Sequence, residues 1–330
     1  MRMRAIVIRE PGDEDVLVPG DVPAPPLGPA DVRIRVAATA VNRADLLQRQ
    51  GMYPPPPGAS EILGLECAGT VAEIGADVPG FSLGERVMAL LPGGGYAEEA
   101  VVHHGSVMRV PATMTDEEAG AFPEAFLTAF SNVFMRGLGA LGPREAVLVH
   151  GGGGGVGTAT IALCREAGNR CFVTVGSEEK ARRCEAFGAA AAIDYKTEDF
   201  AERVATLTER TGVGVVLDHI GARYLAKNLA SLAIGGRLVE IGLMGGAQAE
   251  LNLGLLLIRR LAVIGSTLRT RTVEEKAAIV EGLRDRFGHS LAAGRLKPPI
   301  HAVLPLERAA DAHRMMKASE HFGKIVLRVG

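Results

Sequence analysis

The sequence predicts an α/β protein with two domains, one mostly β and one built as a doubly wound parallel sheet. Short strand patterns separated by proline and glycine turns fill residues 1–122, which is typical of an irregular barrel or sandwich. From residue 123 onward, strand patterns alternate with helical patterns, and such alternation indicates a parallel sheet with helices on both faces. The length of 330 residues suits two domains of ordinary size.

The first domain is predicted from five strand patterns and completed by the end of the chain. A helical pattern over 115–137 connects it to the second domain. The segment from 297 carries a strand, a helix and a strand but no further βαβ partner, so we expect it to return to the first domain. The predicted domains are therefore 1–122 with 297–330, and 123–296. The five strand patterns cover 4–9, 31–38, 61–74, 86–90 and 96–102.

The second domain begins with a strand, a glycine turn and a helix. The apolar run 146–149 predicts a buried strand, six glycines follow within 151–157, and a helical pattern covers 158–167. This order is that of a dinucleotide-binding βαβ unit. The further predicted strands are 170–175, 191–195, 213–217, 237–241 and 261–266, and the further helices are 178–187, 199–211, 225–232 and 273–293.

Two glycine frames fit this turn, one at Gly152, Gly154 and Gly157 and the other at Gly151, Gly154 and Gly157. In either frame, the absence of Cβ allows a tight turn and lets a pyrophosphate approach the backbone. The free N–H groups at the helix start then face the anion. A flexible glycine linker is the alternative, but the strand before the run and the helix after it favour nucleotide binding.

Composition excludes several classes of function. The 36 basic and 38 acidic residues nearly balance, and no basic block indicates nucleic acid or a membrane surface. No apolar run approaches the roughly 18 residues that span a bilayer, and residues 1–8 read as a first strand rather than a signal peptide. The cysteines form neither a disulfide framework nor a zinc cluster, which favours a reduced, cytoplasmic protein. They are Cys67, Cys164, Cys171 and Cys184.

Several further stretches resemble the medium-chain dehydrogenase/reductase superfamily, in its zinc-free NADPH:quinone oxidoreductase branch. The resemblance implies a GroES-like barrel domain, a Rossmann domain, a cleft between them for NADPH and a small-molecule quinone, and a homodimer. The stretches are Asn-Arg-Ala-Asp-Leu at 42–46, Ile-Leu-Gly-Leu-Glu at 62–66, Pro-Glu-Ala-Phe-Leu-Thr-Ala-Phe at 123–130, the glycine turn, Gly-Leu-Met-Gly-Gly at 242–246 and Gly-Lys-Ile-Val-Leu at 323–327.

The resemblance also predicts that no metal is bound. Zinc-dependent members carry Gly-His-Glu where this chain has Gly64, Leu65 and Glu66, and they carry a cysteine where this chain has 42–45. The four-cysteine lobe for structural zinc is missing. Since zinc needs three or four converging ligands, we expect none here, and we expect Glu66 to form a buried structural ion pair.

The end of the second strand of this domain favours NADPH over NADH. An NAD site usually carries a carboxylate here that binds the ribose hydroxyls, whereas this chain has Gly176 and Ser177, followed by Lys180. A small residue, a hydroxyl and a cation suit a 2′-phosphate, and relatives also place a tyrosine, here Tyr195, near it.

Two neighbouring carboxylates argue against NADPH at this position. Glu178 and Glu179 stand beside the proposed phosphate position and would repel it. Arg182 and Arg183 are expected to lie on a solvated helix face rather than to bind the cofactor.

The resemblance assigns the remaining site residues. Asn42 and Arg43 would lie near the nicotinamide and Tyr53 would line the quinone pocket, which makes these three the candidate catalytic residues. His219 follows the fourth strand of the domain at a cofactor-facing position. The other implied cofactor contacts, beyond Gly152 and Gly157 of the turn, are Asn42, Thr128, Gly154, Gly155, Val156, Gly242, Leu243 and Met244.

Each assignment has a structural alternative. Tyr53 beside a proline run could be a turn aromatic, Asn42 could cap the helix that begins at Arg43, and a lone histidine such as His219 is more often structural. The resemblance implies a serine at the position of Gly154, so the backbone amides must suffice here or cofactor affinity falls.

Three functions remain open. A quinone is already electrophilic and needs a hydride donor and a hydrogen-bond donor for its developing oxygen anion, so a zinc-free quinone reductase comes first. Reduction of activated C=C bonds in enones, enals or enoyl thioesters is the alternative, and a non-catalytic NADPH-binding protein is the third.

Overall fold

A computed structural model describes residues 2–330. Over these residues the strands are β1 (Arg2–Ile8), β2 (Leu17–Pro23), β3 (Asp31–Ala40), β4 (Glu66–Ile74), β5 (Arg86–Leu90), β6 (Glu99–His103), β7 (Val107–Arg109), β8 (Val147–Val149), β9 (Cys171–Val175), β10 (Ala191–Asp194), β11 (Val213–Asp218), β12 (Leu232–Glu240), β13 (Ala262–Gly265), β14 (Ile300–Pro305) and β15 (Lys324–Arg328). The helices are α1 (Arg43–Arg49), α2 (Asp116–Gly120), α3 (Pro123–Phe134), α4 (Gly155–Ala167), α5 (Glu178–Phe187), α6 (Phe200–Leu207), α7 (Leu225–Ser231), α8 (Leu253–Arg259), α9 (Val273–Ala292) and α10 (Ala309–Ala318). Short 3₁₀ helices occupy Glu14–Val16, His104–Ser106 and Leu306–Arg308.

The first compact unit comprises Met1–Leu127 and Leu268–Gly330. Its main sheet has the order β14-β15-β3-β4-β5-β7 with β6 also paired to β3, and β1 and β2 form a separate antiparallel ribbon. The C-terminal strand β15 pairs antiparallel with β3, with Val326 opposite Ala40. The chain end therefore returns to the first unit, as the sequence predicts, and the unit has the expected GroES-like character.

The second compact unit is Thr128–Thr267. Its six strands are all parallel and have the order β10-β9-β8-β11-β12-β13. Numbered along this unit, that order is 3-2-1-4-5-6, the doubly wound dinucleotide-binding arrangement. The predicted fold class is thus confirmed. In such sheets a ligand binds beyond the carboxyl ends of the strands where the order reverses, which is between β8 and β11.

Both boundaries of the second domain differ from the sequence division. The sequence pattern assigns residues 123–127 and 268–296 to the second domain, but they belong to the first unit. The long helix α9 follows the last parallel strand and so resembles a crossover helix, yet no seventh strand follows in that sheet. It packs instead on the 3₁₀ helix His104–Ser106, where a Cβ at Gly105 would lie 2.7 Å from Cβ of Ala277.

Other elements shift for local reasons. The helical pattern 115–137 forms two helices, because Pro123 begins α3 at the position where a missing N–H costs least. The predicted strand 61–74 starts only at Glu66, after Gly64 takes a φ of +103°. The sequence patterns missed β2, β7 and α8. Over residues 2–330, no helix combines the length and apolar character that crossing a membrane requires.

Candidate functional site

The glycine turn joins the carboxyl end of β8 to the start of α4. Gly151 has a φ of +70°, which favours glycine, and Gly154 donates its N–H to the carbonyl of Gly151 at 2.9 Å. Gly154 is the N-cap, and α4 begins at Gly155. The first turn of a helix leaves its N–H groups without intrahelical acceptors, so the amides of 155–157 form an anion-binding end.

Steric contacts decide which glycines the turn requires. A Cβ at Gly152 would lie 2.4 Å from Cβ of Val173, and one at Gly157 would lie 2.5 Å from the carbonyl oxygen of Gly151. At Gly154 the nearest atom is the Gly151 oxygen at 3.4 Å, an ordinary contact. Both glycine frames therefore contain positions that require glycine, whereas Gly154 has room for a side chain.

A buried polar network lies at the carboxyl ends of the strands that flank the turn. His150 contacts the Thr174 hydroxyl at 3.0 Å and the Asn228 side-chain oxygen at 2.7 Å, and Asn228 donates to Asp218 at 2.9 Å. Burial lowers the pKa of His150. A neutral ring that donates from Nε2 to Asn228 and accepts from Thr174 at Nδ1 satisfies every partner.

This network fixes the loop ends around the turn, since Asp218 also accepts the backbone N–H groups of Ile220 and Gly221 at 2.7 and 2.9 Å. Sequence reasoning missed it. The available signal was that polar residues end three strands that the parallel order brings side by side.

His219 lies between two predicted cofactor-binding loops. A Cβ at Gly151 would approach its ring to 2.7 Å, and a Cβ at Gly242 would lie 3.1 Å from its Cβ. The N–H of Met244 donates to the His219 carbonyl at 3.0 Å. The carboxyl ends of β8, β11 and β12 thus bring Gly151, His219 and Gly242 together, while Leu243 and Met244 are more than half exposed, at 57% and 58%.

The end of β9 brings the predicted 2′-phosphate residues together. Ser177 caps α5, its hydroxyl accepting the N–H of Lys180 at 3.3 Å. A Cβ at Gly176 would lie 2.7 Å from the hydroxyl of Tyr195, so this glycine allows the tyrosine to pack over the strand end. Val156 lies in the first turn of α4 and Thr128 in α3.

Arg182 and Arg183 lie on the solvent-exposed face of α5. Arg182 pairs with Glu178 at 2.6 Å and Arg183 with Glu179 at 3.9 Å, each one helical turn apart. These exposed pairs offset part of the charge of Glu178 and Glu179, which would otherwise repel a phosphate.

In the first unit, Asn42 and Glu66 form a buried cluster with Lys324. The Lys324 ammonium contacts Glu66 at 2.7 Å and the Asn42 side-chain oxygen at 2.6 Å, and Asn42 donates to Glu66 at 2.8 Å. Glu66 and Lys324 are 0% and 2% exposed. The predicted ion pair of Glu66 is confirmed. Asn42 also stands at the N-cap of α1, and its N–H donates to Asp45 at 2.7 Å.

Arg43 is held by the end of α10. Its guanidinium donates to the Met316 carbonyl at 3.1 Å and to the Ser319 hydroxyl at 3.0 Å, and burial lowers its pKa. The side chains of Asn42 and Arg43 therefore have protein partners, so their catalytic assignment gains no support from their contacts.

Tyr53 packs against Arg269, a residue that sequence reasoning missed. The guanidinium carbon lies 5.3 Å from the ring centre. Arg269 is 4% exposed, and it donates to the Pro92 carbonyl at 2.7 Å and to Gln48 at 2.8 Å. Nothing in the sequence around Arg269, 216 residues from Tyr53, indicates the contact.

The residues available for a metal do not fit one. Leu65 offers no ligand atom, and the Lys324 ammonium already binds the oxygens of Asn42 and Glu66, where it would repel a cation. Among residues 2–330, no group of three or more His, Cys, Asp or Glu side chains converges in a way that could hold a metal ion.

Comparison with known proteins places the chain in a family. Residues 155–281 match the zinc-binding dehydrogenase family, and 28–112 match the alcohol dehydrogenase GroES-like domain. The synaptic vesicle membrane protein VAT-1 homolog of Homo sapiens is 33% identical over 94% of this chain and 82% of its own. The chain belongs to the medium-chain dehydrogenase/reductase superfamily.

Other relatives are much longer than this chain. The mycocerosic acid synthase-like polyketide synthase of Mycobacterium tuberculosis is 34% identical over 98% of this chain, which spans only 15% of that protein. The similarity to such a synthase therefore concerns one segment of it.

Three solved structures each cover at least 98% of both chains. They are an NAD-dependent alcohol dehydrogenase (34% identity, TM-score 0.85, 99% of this chain and 100% of that one), the CurK enoyl reductase (27%, 0.86, 99% and 99%) and the Escherichia coli quinone oxidoreductase complexed with NADPH (26%, 0.81, 99% and 99%).

Proposed function

We propose that this protein is a zinc-independent, NADPH-dependent reductase of quinones. The observation that carries the proposal is the glycine turn at the carboxyl end of β8, where the amides of 155–157 at the start of α4 have no intrahelical acceptor and are available to an anion. A pyrophosphate fits such an end. The relative from Escherichia coli is named both for quinone reduction and for its NADPH.

The first unit supports a neutral acceptor. Three buried cations of this unit already bind protein oxygens: Lys324 binds Glu66, Arg269 binds Gln48 and the Pro92 carbonyl, and Lys276 donates to the Arg269 carbonyl at 2.8 Å. An anionic substrate such as a coenzyme A phosphate would need an uncommitted cation. A quinone needs none, and its electrophilic ring needs no metal.

A panel of acceptors tests the function. The purified protein should oxidise NADPH rapidly with ortho- and para-quinones and slowly or not at all with enones, enals and enoyl thioesters. Faster turnover of an enone or an enoyl thioester would instead support the C=C reductase, the activity named for the CurK relative. Binding of NADPH without turnover of any acceptor would support a non-catalytic binding protein.

We propose that Lys180 selects NADPH over NADH. The variant Lys180→Ala should raise the KM for NADPH about tenfold, since one charge-assisted contact contributes on the order of 1.4 kcal/mol, and should leave the KM for NADH unchanged. Arg182→Ala is the matched control, because that arginine lies on the same helix and already pairs with Glu178. Wild-type protein that uses NADH as well as NADPH would contradict the preference.

The family resemblance also leads us to propose a cytoplasmic homodimer. The edge strand β13 and the helix α8 carry exposed apolar side chains, among them Leu257 at 77% and Ile258 at 75%, a kind of patch that marks interaction surfaces. Light scattering of the purified protein would give the mass of one chain if this proposal is wrong.

A further inference from the structure

Two carboxyl groups lie side by side at the carboxyl edge of the second unit's sheet. Asp218 ends β11 and Glu240 ends β12, and the two residues are partners in the register of these parallel strands. Register partners point to the same face of a sheet, on strands about 4.8 Å apart. On its other side Glu240 is the partner of Gly265 in β13. Of its two register partners, only Asp218 therefore offers Glu240 a polar side chain.

The buried carboxylate of Asp218 holds the chain that follows β11. It accepts the N–H groups of Ile220 and Gly221 at 2.7 and 2.9 Å, and the side-chain amide of Asn228 at 2.9 Å. An ionised carboxylate offers about four acceptor positions. One position therefore remains open to a further donor.

Two loops depend on this carboxylate. The β11 loop (219–222) follows β11, and the β12 loop (241–246) follows β12. Backbone hydrogen bonds join the two loops, among them that from the N–H of Gly245 to the Ile220 carbonyl at 2.6 Å. Because Asp218 holds the first loop and the first loop holds the second, both depend on where Asp218 lies. Both loops also carry residues that the resemblance assigns to the cofactor.

The position of Glu240 suits a protonated carboxyl. Its Oε2 atom is buried and accepts no hydrogen bond from any group of residues 2–330, and a buried carboxylate oxygen without a donor is unfavourable. Burial, followed by the charge of Asp218, raises the pKa of Glu240 to about 8. A protonated Glu240 can donate its O–H to the open position on Asp218.

The charges around Glu240 leave Asp218 as its main electrostatic neighbour. Four elements pack closely on β12, namely β11, β13, α7 and α8. Strand β13 has no titratable side chain, and β11 has Asp218 alone. The cations of the other elements and of β12 itself have oxygen partners: Lys227 binds Asp199, Arg259 binds the carbonyls of Ala230 and Leu232, and Arg237 binds Glu145. The titratable side chains of the flanking loops are those of His150, whose pKa is lowered by burial, His219, Arg223 and Tyr224.

We propose that Glu240 is a positioning residue, which shares one proton with Asp218 and thereby holds the β11 loop and the β12 loop in the arrangement that binds NADPH. This inference rests on the proposed function for its ligand. The O–H of Glu240 donates to Asp218, so the pair carries a single negative charge. When the proton leaves to water, two carboxylates face each other on neighbouring strands and repel. The repulsion displaces Asp218 from the N–H groups that it holds.

The variant Glu240→Gln tests the shared proton, because its side-chain amide replaces the O–H donor and does not titrate. The wild-type Kd for NADPH should rise as pH increases above about 8, by up to about tenfold per pH unit, the limit for one proton. This rise should be absent in Glu240→Gln, whose Kd at pH 7 should equal that of the wild type. Glu202→Gln, at an exposed position of α6 in the same unit, is the matched control and should show the wild-type rise.

The stability of the apoprotein is a second measurement, which needs no cofactor. Folding raises the pKa of Glu240 from its ordinary 4.5 to about 8. The resulting stabilisation is complete below pH 4.5 and is lost as pH rises to about 8. In chemical denaturation, the unfolding equilibrium constant of the wild type should therefore rise relative to that of Glu240→Gln, by up to about tenfold per pH unit between about pH 5 and 8.

The two measurements separate the inference from the proposed function. A Glu240→Gln variant with the wild-type pH dependence in both would overturn the inference and leave the quinone reductase standing. A difference in stability without a difference in the pH dependence of Kd would overturn the role of the pair in holding the loops. Wild-type protein that binds no NADPH at any pH would overturn the proposed function itself, while the stability measurement would still decide whether the pair shares a proton.

Discussion

Replacement of Lys324 by methionine should destabilise the protein by about 3–5 kcal/mol, since removing one partner of a buried ion pair leaves the other charge unpaired. Glu66 is 0% exposed, and its other carboxylate oxygen accepts only the backbone N–H of Glu124. Chemical denaturation followed by circular dichroism would measure the change. The loss should shrink in Lys324→Met combined with Glu66→Gln, because neither charge of the pair then remains.

A control for this prediction exists in the second unit. Lys227 and Asp199 form a pair with the same 2.7 Å separation, but their side chains are 51% and 42% exposed. Lys227→Met should therefore cost less than about 1 kcal/mol. If both methionine variants lose the same stability, burial is not what makes the Lys324 pair important.

Replacement of Gly157 by alanine should abolish measurable NADPH binding and destabilise the second unit by about 1–3 kcal/mol, as overpacking does. Its Cβ would meet the Gly151 oxygen at 2.5 Å and Cα of Gly152 at 2.6 Å. Both neighbours are backbone atoms, so relief requires the whole turn to move away from α4. Fluorescence titration with NADPH and a thermal melt would measure the two effects.

Gly154→Ser is the matched control in the same turn. Its Cβ meets only the Gly151 oxygen, at 3.4 Å, and serine is at least as good an N-cap as glycine. The variant should fold as well as the wild type and bind NADPH equally or more tightly. Weak binding in Gly154→Ser together with tight binding in Gly157→Ala would contradict the account of the turn.

The sequence could predict the parts of the molecule that depend on local patterns. The strand and helix of 146–167 follow from apolar periodicity and glycine placement, and the parallel sheet follows from the alternation after them. The buried ion pair of Glu66 follows from the resemblance. These features need only the neighbouring residues along the chain, together with that resemblance.

The rest depends on contacts between distant residues. Helix α9 has the pattern of a crossover helix, and its packing on the 3₁₀ helix His104–Ser106 is what assigns it to the first unit. Arg269 reaches Gln48 across 221 residues, and His150 reaches Asn228 across 78. Polar contacts of this kind produce no periodic pattern in the sequence, because one residue on each segment is enough to make the contact.

The resemblance is least informative about side-chain partners. It names Asn42 and Arg43 as catalytic, whereas their polar groups bind Glu66, Lys324 and the end of α10. It does not indicate Glu240, whose buried Oε2 atom accepts no hydrogen bond over residues 2–330. Whether a polar side chain already has a hydrogen-bond partner depends on the folded structure around it, so the sequence alone does not reveal it.

We expect the glycine turn to bind the diphosphate of NADPH. Calorimetric titration of the purified protein with NADPH, and separately with NADH, measures this binding. The titration should give a single NADPH site per chain, tighter than that for NADH and lost in Gly157→Ala. Failure of the wild-type protein to bind either dinucleotide would show that the turn holds no pyridine dinucleotide.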